Sequence, residues 1–182
     1  MKITILNGNP DSGMSPFRTH LESLCNLLEE KHQVEHFKLI DMNIKSCTGC
    51  WTCWVKTPGQ CIHDDEGEQI FRSVLNSDFY ILASPLRMGF TSALLKTITD
   101  RLIVLLHPYI EIQQGECHHK KRYTKYPDFG ILYAKEKDTD DEDLKIISDI
   151  YDRFAINFHA TKRYMKELTR DIKEVRDETC HI

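Results

Sequence analysis

Lys2-Ile3-Thr4-Ile5-Leu6, then Asn7-Gly8-Asn9-Pro10-Asp11-Ser12-Gly13-Met14-Ser15-Pro16, then Phe17 with Leu21, Leu24 and Leu28: this opening decides the fold class. The first five residues read as a short buried strand. The spacings of four, three and four put Phe17, Leu21, Leu24 and Leu28 on one face of a helix. Ser15 reads as the N-cap of that helix, with Pro16 at its first position. A strand, a short glycine-containing loop and a helix make half of a parallel crossover unit.

The rest of the chain repeats the alternation. A second strand is expected at 34–40. Asp65-Glu66-Gly67-Glu68 has a capping-box pattern and opens a helix that buries Ile70, Phe71 and Leu75. Residues 79–83 are nearly all apolar, as in a strand covered on both faces. Ser84-Pro85-Leu86-Arg87-Met88-Gly89-Phe90 reads as a rigid loop, and a helix follows from about 91 with Leu94, Leu95, Ile98 and Leu102 inward. Residues 107–127 are polar, rich in His and Lys, and read as an excursion from the core. A fourth strand falls at 129–133. Asp140 to Asp143 place negative charge at a helix start, where the dipole favours it; that helix buries Leu144, Ile147, Tyr151 and Phe154. A short fifth strand lies between 158 and 165, and a charged helix runs from 168.

This order predicts an α/β fold: one domain over 1–182, built on a doubly wound, five-stranded parallel sheet with helices on both faces. Ligands of such sheets bind outside the carboxyl ends of the strands. The loops at 8–15, 46–61 and 85–90 are therefore expected to gather on one edge, with the cysteines of the second loop near the first.

Composition narrows the function. Of 182 residues, 41% are hydrophobic and 29% charged, which is ordinary for a globular protein. The formal net charge of −4 argues against nucleic acid and against a basic membrane-facing surface. No apolar run approaches the ~18 residues of a membrane span. The opening strand is broken too soon by Asn7-Gly8 for a signal peptide. A cytoplasmic chain is expected, in which the seven cysteines are reduced and point to metal or redox chemistry.

Four of those cysteines, Cys47, Cys50, Cys53 and Cys61, follow C-x2-C-x2-C-x7-C. Thiolates spaced by two can point at one centre from a tight loop, as soft metals and iron–sulfur clusters require. Structural zinc sites more often pair two C-x2-C knuckles. Reduced thiols packing a loop are the plain alternative. The nine histidines form no convincing metal site; Cys25 belongs to the core, and Cys117 and Cys180 stand alone. In the first loop, free N–H groups at a helix start make an anion site to which Ser12 and Ser15 add hydroxyls. There is no Gly-Lys-Ser/Thr and no G-x-G-x-x-G, so the loop reads either as an ordinary strand-to-helix turn or as a seat for a mononucleotide phosphate, which fits better than a dinucleotide. Near residue 85, Pro85 restrains the backbone, Gly89 permits close approach of a flat ring, and Arg87 can stabilise negative charge on it.

The chain resembles the NADPH-dependent FMN reductase-like flavoproteins of the flavodoxin-like superfamily. The resemblance rests on Lys2 to Pro10, on Cys47-Thr48-Gly49-Cys50 through Cys61-Ile62-His63-Asp64-Asp65, and on Ser84-Pro85-Leu86-Arg87-Met88-Gly89 through Leu95-Lys96-Thr97-Ile98-Thr99-Asp100-Arg101. The iron–sulfur flavoprotein branch shares the compact cysteine loop. The resemblance implies a flavodoxin-like fold, FMN, and electrons taken from NAD(P)H to a small-molecule or protein acceptor. It implies a phosphate seat at Asn9, Ser12, Ser15, Pro16 and Phe17, and a ring seat at Pro85, Leu86, Arg87, Met88 and Gly89. In the iron–sulfur branch, Cys47, Cys50, Cys53 and Cys61 would hold a [4Fe–4S] cluster. A homodimer or homotetramer is usual for the family. Three features depart from its pattern. Asp11 puts a carboxylate near the expected phosphate, Arg87 replaces a residue that is often aromatic, and Tyr133 to Asp138 stands where a glycine-rich loop is usual. Two rival readings follow: an electron carrier reduced by a partner protein, and a cofactor-poor relative whose cysteines bind zinc or sense oxidants.

Overall fold

The structure, a computed structural model, describes residues 1–168 and 171–181. Five parallel strands form the sheet: β1 (Lys2–Asn7), β2 (Gln33–Lys38), β3 (Phe79–Arg87), β7 (Asp128–Ala134) and β8 (Lys162–Glu167), in the spatial order β2-β1-β3-β7-β8. This is a doubly wound order with its reversal beside β1. Alternate residues of each strand serve opposite layers. Ile3, Ile5, Phe79 and Ile81 pack against α1 (Pro16–Glu29) and α6 (Ile172–Cys180). Leu6, Tyr80, Leu82 and Ile131 pack against α3 (Gly67–Asn76), α4 (Ala93–Arg101) and α5 (Asp141–Asn157).

The expected helix starts meet different fates. Ser15 caps α1, its Oγ accepting from Arg18 N–H at 3.2 Å, with Pro16 next. Ser15→Ala is expected to cost about 1 kcal/mol, read as a lower urea midpoint at unchanged slope. Asp140 and Asp143 close a reciprocal capping box at α5. The box expected at Asp65 to Glu68 does not form: Glu66 is the N-cap of α3 and makes no side-chain cap bond. Asp65 turns to Arg101 and to Lys45 N–H, and also accepts from Gly67 N–H at the start of α3.

Other boundaries are corrected. β3 runs on through Pro85 and Leu86 to Arg87, so the expected rigid loop is mostly strand. It pairs antiparallel with β4 (Phe90–Thr91) across a two-residue turn at Met88 and Gly89, with φ of 52° and 70°. Two positive φ values match the twist of a tight hairpin. α4 accordingly starts at Ala93 rather than at about 91. The excursion at 107–127 is largely a second hairpin, β5 (Leu106–Gln113) and β6 (Glu116–Lys121). It forms its own two-stranded sheet and is tied back to α5, where His119 N–H donates to Asn157 Oδ1 at 2.9 Å. The charged helix expected from 168 is seen as α6, and positions 169 and 170 of that expectation lie outside the described residues. Among the described residues no helix is long and apolar enough to cross a membrane.

Candidate functional site

The first and third loops meet at the carboxyl edge of the sheet. Gly8 N–H donates to Ala83 O at 2.7 Å, and Ser92, the N-cap of α4, bonds Gly8 O through its hydroxyl and Ser84 Oγ through its N–H. A side chain at Gly8 would strike Leu95, with Cβ atoms 2.7 Å apart, so the loop needs glycine to lie on α4. Asn7 Oδ1 accepts from Asn9 N–H, and Asn9 Oδ1 from Asp11 N–H, which shapes the turn. Pro16 and Phe17 then begin α1, with Phe17 in the core. Beyond the turn, Gly13 faces open space and the first turn of α1 carries no acidic residue. The positive end of the helix dipole is thus open to an anion between Ser12 and Ser15.

The ring end is differently built. Arg87 reaches back to Asp11 at 3.1 Å and sideways to Glu136 at 3.6 Å. Two of the departures noted in the sequence therefore neutralise each other, and the Asp11 carboxylate is paired rather than repelling. Glu136, from the segment after β7, also accepts from Met88 N–H at 2.6 Å. Gly89 is approached closely by the Asp143 carboxylate of α5, 2.6 Å from where a Cβ would stand. The close approach expected of a flat ring at Gly89 is taken by that carboxylate. Pro85 and Leu86 are buried in β3, and only Arg87 and Met88 face outward. The Arg87 pairs are half-exposed and each is worth roughly 0–1 kcal/mol, weak enough for a ligand to displace.

The second loop departs from expectation. Helices of a parallel sheet run opposite to its strands. The N-terminus of α4 sits at Gly8, and its C-terminus meets the cysteines. From Ser92 to Arg101 is about 14 Å at ~1.5 Å per residue. The cysteine loop is thus a helix length away from the first loop instead of beside it. The short helix α2 (Thr52–Val55) carries Cys53, and Trp54 anchors it, donating its indole N–H to Leu106 O at 3.1 Å and packing on His119 at 4.9 Å. The second hairpin therefore serves as the bed of the cysteine loop.

Cys47, Cys50, Cys53 and Cys61 line one small cavity of about 30 Å³. Cys47 and Cys50 are exposed, Cys53 and Cys61 half-buried. Hydrogen bonds from Thr52 hold the Cys50 thiol below its usual pKa, whereas burial, then the neighbouring Cys61, Cys47 and Cys50, push Cys53 up. Among the described residues no three His, Cys, Asp or Glu side chains converge as they would on a single metal ion. The donor set nonetheless suits a sulfur-rich centre, and two side chains beside it lack hydrogen-bond partners. Arg101 Nε and Nη2 and His63 Nε2 are buried without a hydrogen-bond partner, and both residues line the cavity. Leaving such donors unsatisfied costs about 1–3 kcal/mol each. On the outer side opens a cleft of about 510 Å³ lined by Trp51, Trp54, Ile103, Phe154, Cys47 and Cys53. Trp51 is held at φ 61°, a left-handed conformation rare for an aromatic residue, with its ring exposed at the mouth.

A profile of the NADPH-dependent FMN reductase family matches residues 1–122. The chain belongs to that family. Among its relatives, an iron–sulfur flavoprotein of Archaeoglobus fulgidus is 32% identical over 107 residues, covering 59% of this chain and 48% of the relative. An iron–sulfur flavoprotein of Methanocaldococcus jannaschii is 32% identical over 101 residues, covering 56% and 51%. The chain thus spans about half the length of these curated relatives. In fold it is similar to an NAD(P)H:quinone oxidoreductase from Methanothermobacter marburgensis, with a TM-score of 0.65, 17% identity and coverage of 97% of this chain and 90% of the other. An FMN-dependent NADH-azoreductase from Bacillus anthracis gives a TM-score of 0.60 at 16% identity, covering 99% and 98%. The expected flavodoxin-like α/β fold is borne out.

Sequence reasoning missed Arg101, Asp65, Glu136 and Asp143. One signal for Arg101 was present: it stands three residues after Ile98, on the stripe of α4 that is otherwise apolar. Glu136 and Asp143 carry no such mark, because both lie in ordinary acidic segments.

Proposed function

We propose that the chain is an FMN-dependent NAD(P)H oxidoreductase that passes electrons to a small acceptor or a redox partner, with a [4Fe–4S] cluster held by Cys47, Cys50, Cys53 and Cys61. The observation that carries the reading is the acid-free N-terminus of α1, entered from a loop whose Asp11 is paired with Arg87 at the carboxyl edge, in a chain of this family. When bound, FMN supplies hydride acceptance and single-electron release, and a cluster supplies one-electron transfer.

The rest falls to the chain's own residues. Asn9, Ser12 and Ser15, with the Phe17 N–H at the start of α1, would hold the phosphate; Pro16 has no N–H, and the Arg18 N–H is taken by Ser15 Oγ. Pro85, Leu86, Arg87, Met88 and Gly89 would form the ring seat, with Arg87 and Met88 its exposed members and the Arg87 guanidinium its positive charge. For the cluster, the exposed Cys47 and Cys50 and the half-buried Cys53 and Cys61 would supply the four thiolates from one shared cavity. The aromatic cleft beside Cys47 and Cys53 suits a flat acceptor. A cytoplasmic location and a homodimer or homotetramer complete the reading, with a second copy covering Met14 and Met88, which are 81% and 97% exposed.

The test is an oxygen-free visible spectrum after adding FMN and desalting, with iron assayed in the same sample. Retained flavin bands that bleach with NADH or NADPH are expected, with about four irons per chain. Cys50→Ala is expected to lose the iron and keep the flavin. Bleaching only by a reduced partner protein would favour the electron-carrier reading, and a colourless, iron-free chain sinks both.

A further inference from the structure

Arg101 is among the largest fully buried side chains of the protein, with only 2% of its surface exposed. A guanidinium in that position needs every donor satisfied and its charge balanced. One nitrogen, Nη1, meets both needs in part: it donates to Asp65 at 2.7–2.8 Å and to Lys45 O at 3.1 Å. Phe71 packs on the guanidinium at 5.2 Å. Gly67 is required there, since a Cβ would come within 2.8 Å of Nη1. All this machinery fixes one end of the guanidinium and leaves Nε and Nη2 without a hydrogen bond of good geometry, with the Cys61 sulfur close by. That edge carries two near-parallel N–H groups, the geometry with which arginine grips an anion bidentately. The same residue lines the cavity shared by Cys47, Cys50, Cys53 and Cys61. Burial works against the Arg101 charge, but Asp65 and the nearby Cys61 sulfur outweigh it.

We propose that Arg101 is a positioning residue for the thiolate-bound centre: its free Nε–Nη2 edge donates to sulfur of that centre, and Asp65 and Gly67 exist to aim it. This rests on the cluster reading above. A structural ion pair needs only the Asp65 side of the guanidinium; the unbonded edge is the feature such a role does not explain. Outer partners of metal ligands change retention and potential more than they change fold. Donors and positive charge beside a cluster favour its reduced, more negative state.

The test uses the anaerobically reconstituted chain and reads the centre itself. With guanidino-¹⁵N arginine, pulsed electron paramagnetic resonance of the reduced wild-type cluster is expected to show a nitrogen coupling that changes with the label and is lost in Arg101→Lys. Arg101→Lys keeps the ion pair and is expected to release iron to a chelator about 10–100-fold faster, at a lower reduction potential. Asp65→Asn removes the balancing carboxylate and is expected to shift the potential the opposite way, upward. Both variants are first checked for wild-type circular dichroism. A merely structural pair predicts shifts of the same sign and no arginine coupling, and that result overturns the proposal while leaving the cluster reading intact. The absence of label-dependent coupling in wild type does so without any variant. A wild-type chain that takes up no iron sinks the cluster reading and this proposal together.

Discussion

Arg101→Met is expected to destabilise the chain by about 3–5 kcal/mol, because it strands the Asp65 carboxylate in the interior. The two side chains are 1% and 0% exposed and their atoms lie 2.7 Å apart, so water cannot take over the lost partner. For a chain of this size the loss corresponds to a fall in Tm of roughly 10 °C. Adding Asp65→Leu to Arg101→Met is expected to recover most of it, since a buried pair replaced whole by apolar groups is often neutral. Chemical denaturation of the four members of this cycle, without added iron, measures the coupling. The pH dependence follows from the sign of the shift. Burial works to raise the Asp65 pKa, but hydrogen bonds from Lys45, Arg101 and Gly67 hold it below its ordinary 3.8. A depressed carboxyl contributes stability that is present above 3.8 and lost as the pH falls through its folded value. In Arg101→Met the isolated carboxyl titrates upward instead, so the gap between variant and wild type is expected to narrow on acidification. A gap that stays constant from neutral pH to pH ~3 would show that Asp65 is not the stranded group.

Gly130→Ala is the second large effect, at about 3 kcal/mol, the upper end for overpacking. Gly130 sits in β7 opposite Tyr164 of β8, and a Cβ there would run into the Tyr164 ring. The ring has nowhere to go. It is 7% exposed, packs on Phe79 at 5.9 Å, and its hydroxyl bonds Thr179 Oγ1 on α6 at 2.9 Å. The added methyl therefore displaces β8 and loosens α6 together. Tyr164→Leu in the Gly130→Ala background is expected to restore part of the loss, read as urea midpoints, and hydrogen exchange is expected to localise the weakening to 162–167 and 172–180. Equal protection of those segments in Gly130→Ala and wild type would sink the argument.

The strand–loop–helix opening was legible because its signals are local. Apolar spacing in α1, the Ser15-Pro16 start and the uniform apolarity of 79–83 each depend on neighbours within a turn or a pleat. The acidic start of α5 was legible for the same reason. The box at Asp65 to Glu68 misled because a local pattern lost to a distant partner: one buried arginine offers a carboxylate more than an exposed helix end can. The loop at 85–90 misled because pairing with β7 and β4 extended the strand through a proline that local rules treat as a stop.

The sequence by itself determined the α/β order, the parallel sheet, the glycine-containing turn before α1 and the presence of four thiols in one loop. Only the tertiary structure decided what those parts face. It joined Asp11 to Arg87 across 76 residues and Asp65 to Arg101 across 36. It also set the cysteine loop at the far end of α4 rather than beside the first loop. The physical reason is the range of the forces: periodicity and capping act within a few residues, whereas the pairing of buried charges and the antiparallel run of a helix over its sheet exist only once the chain has closed.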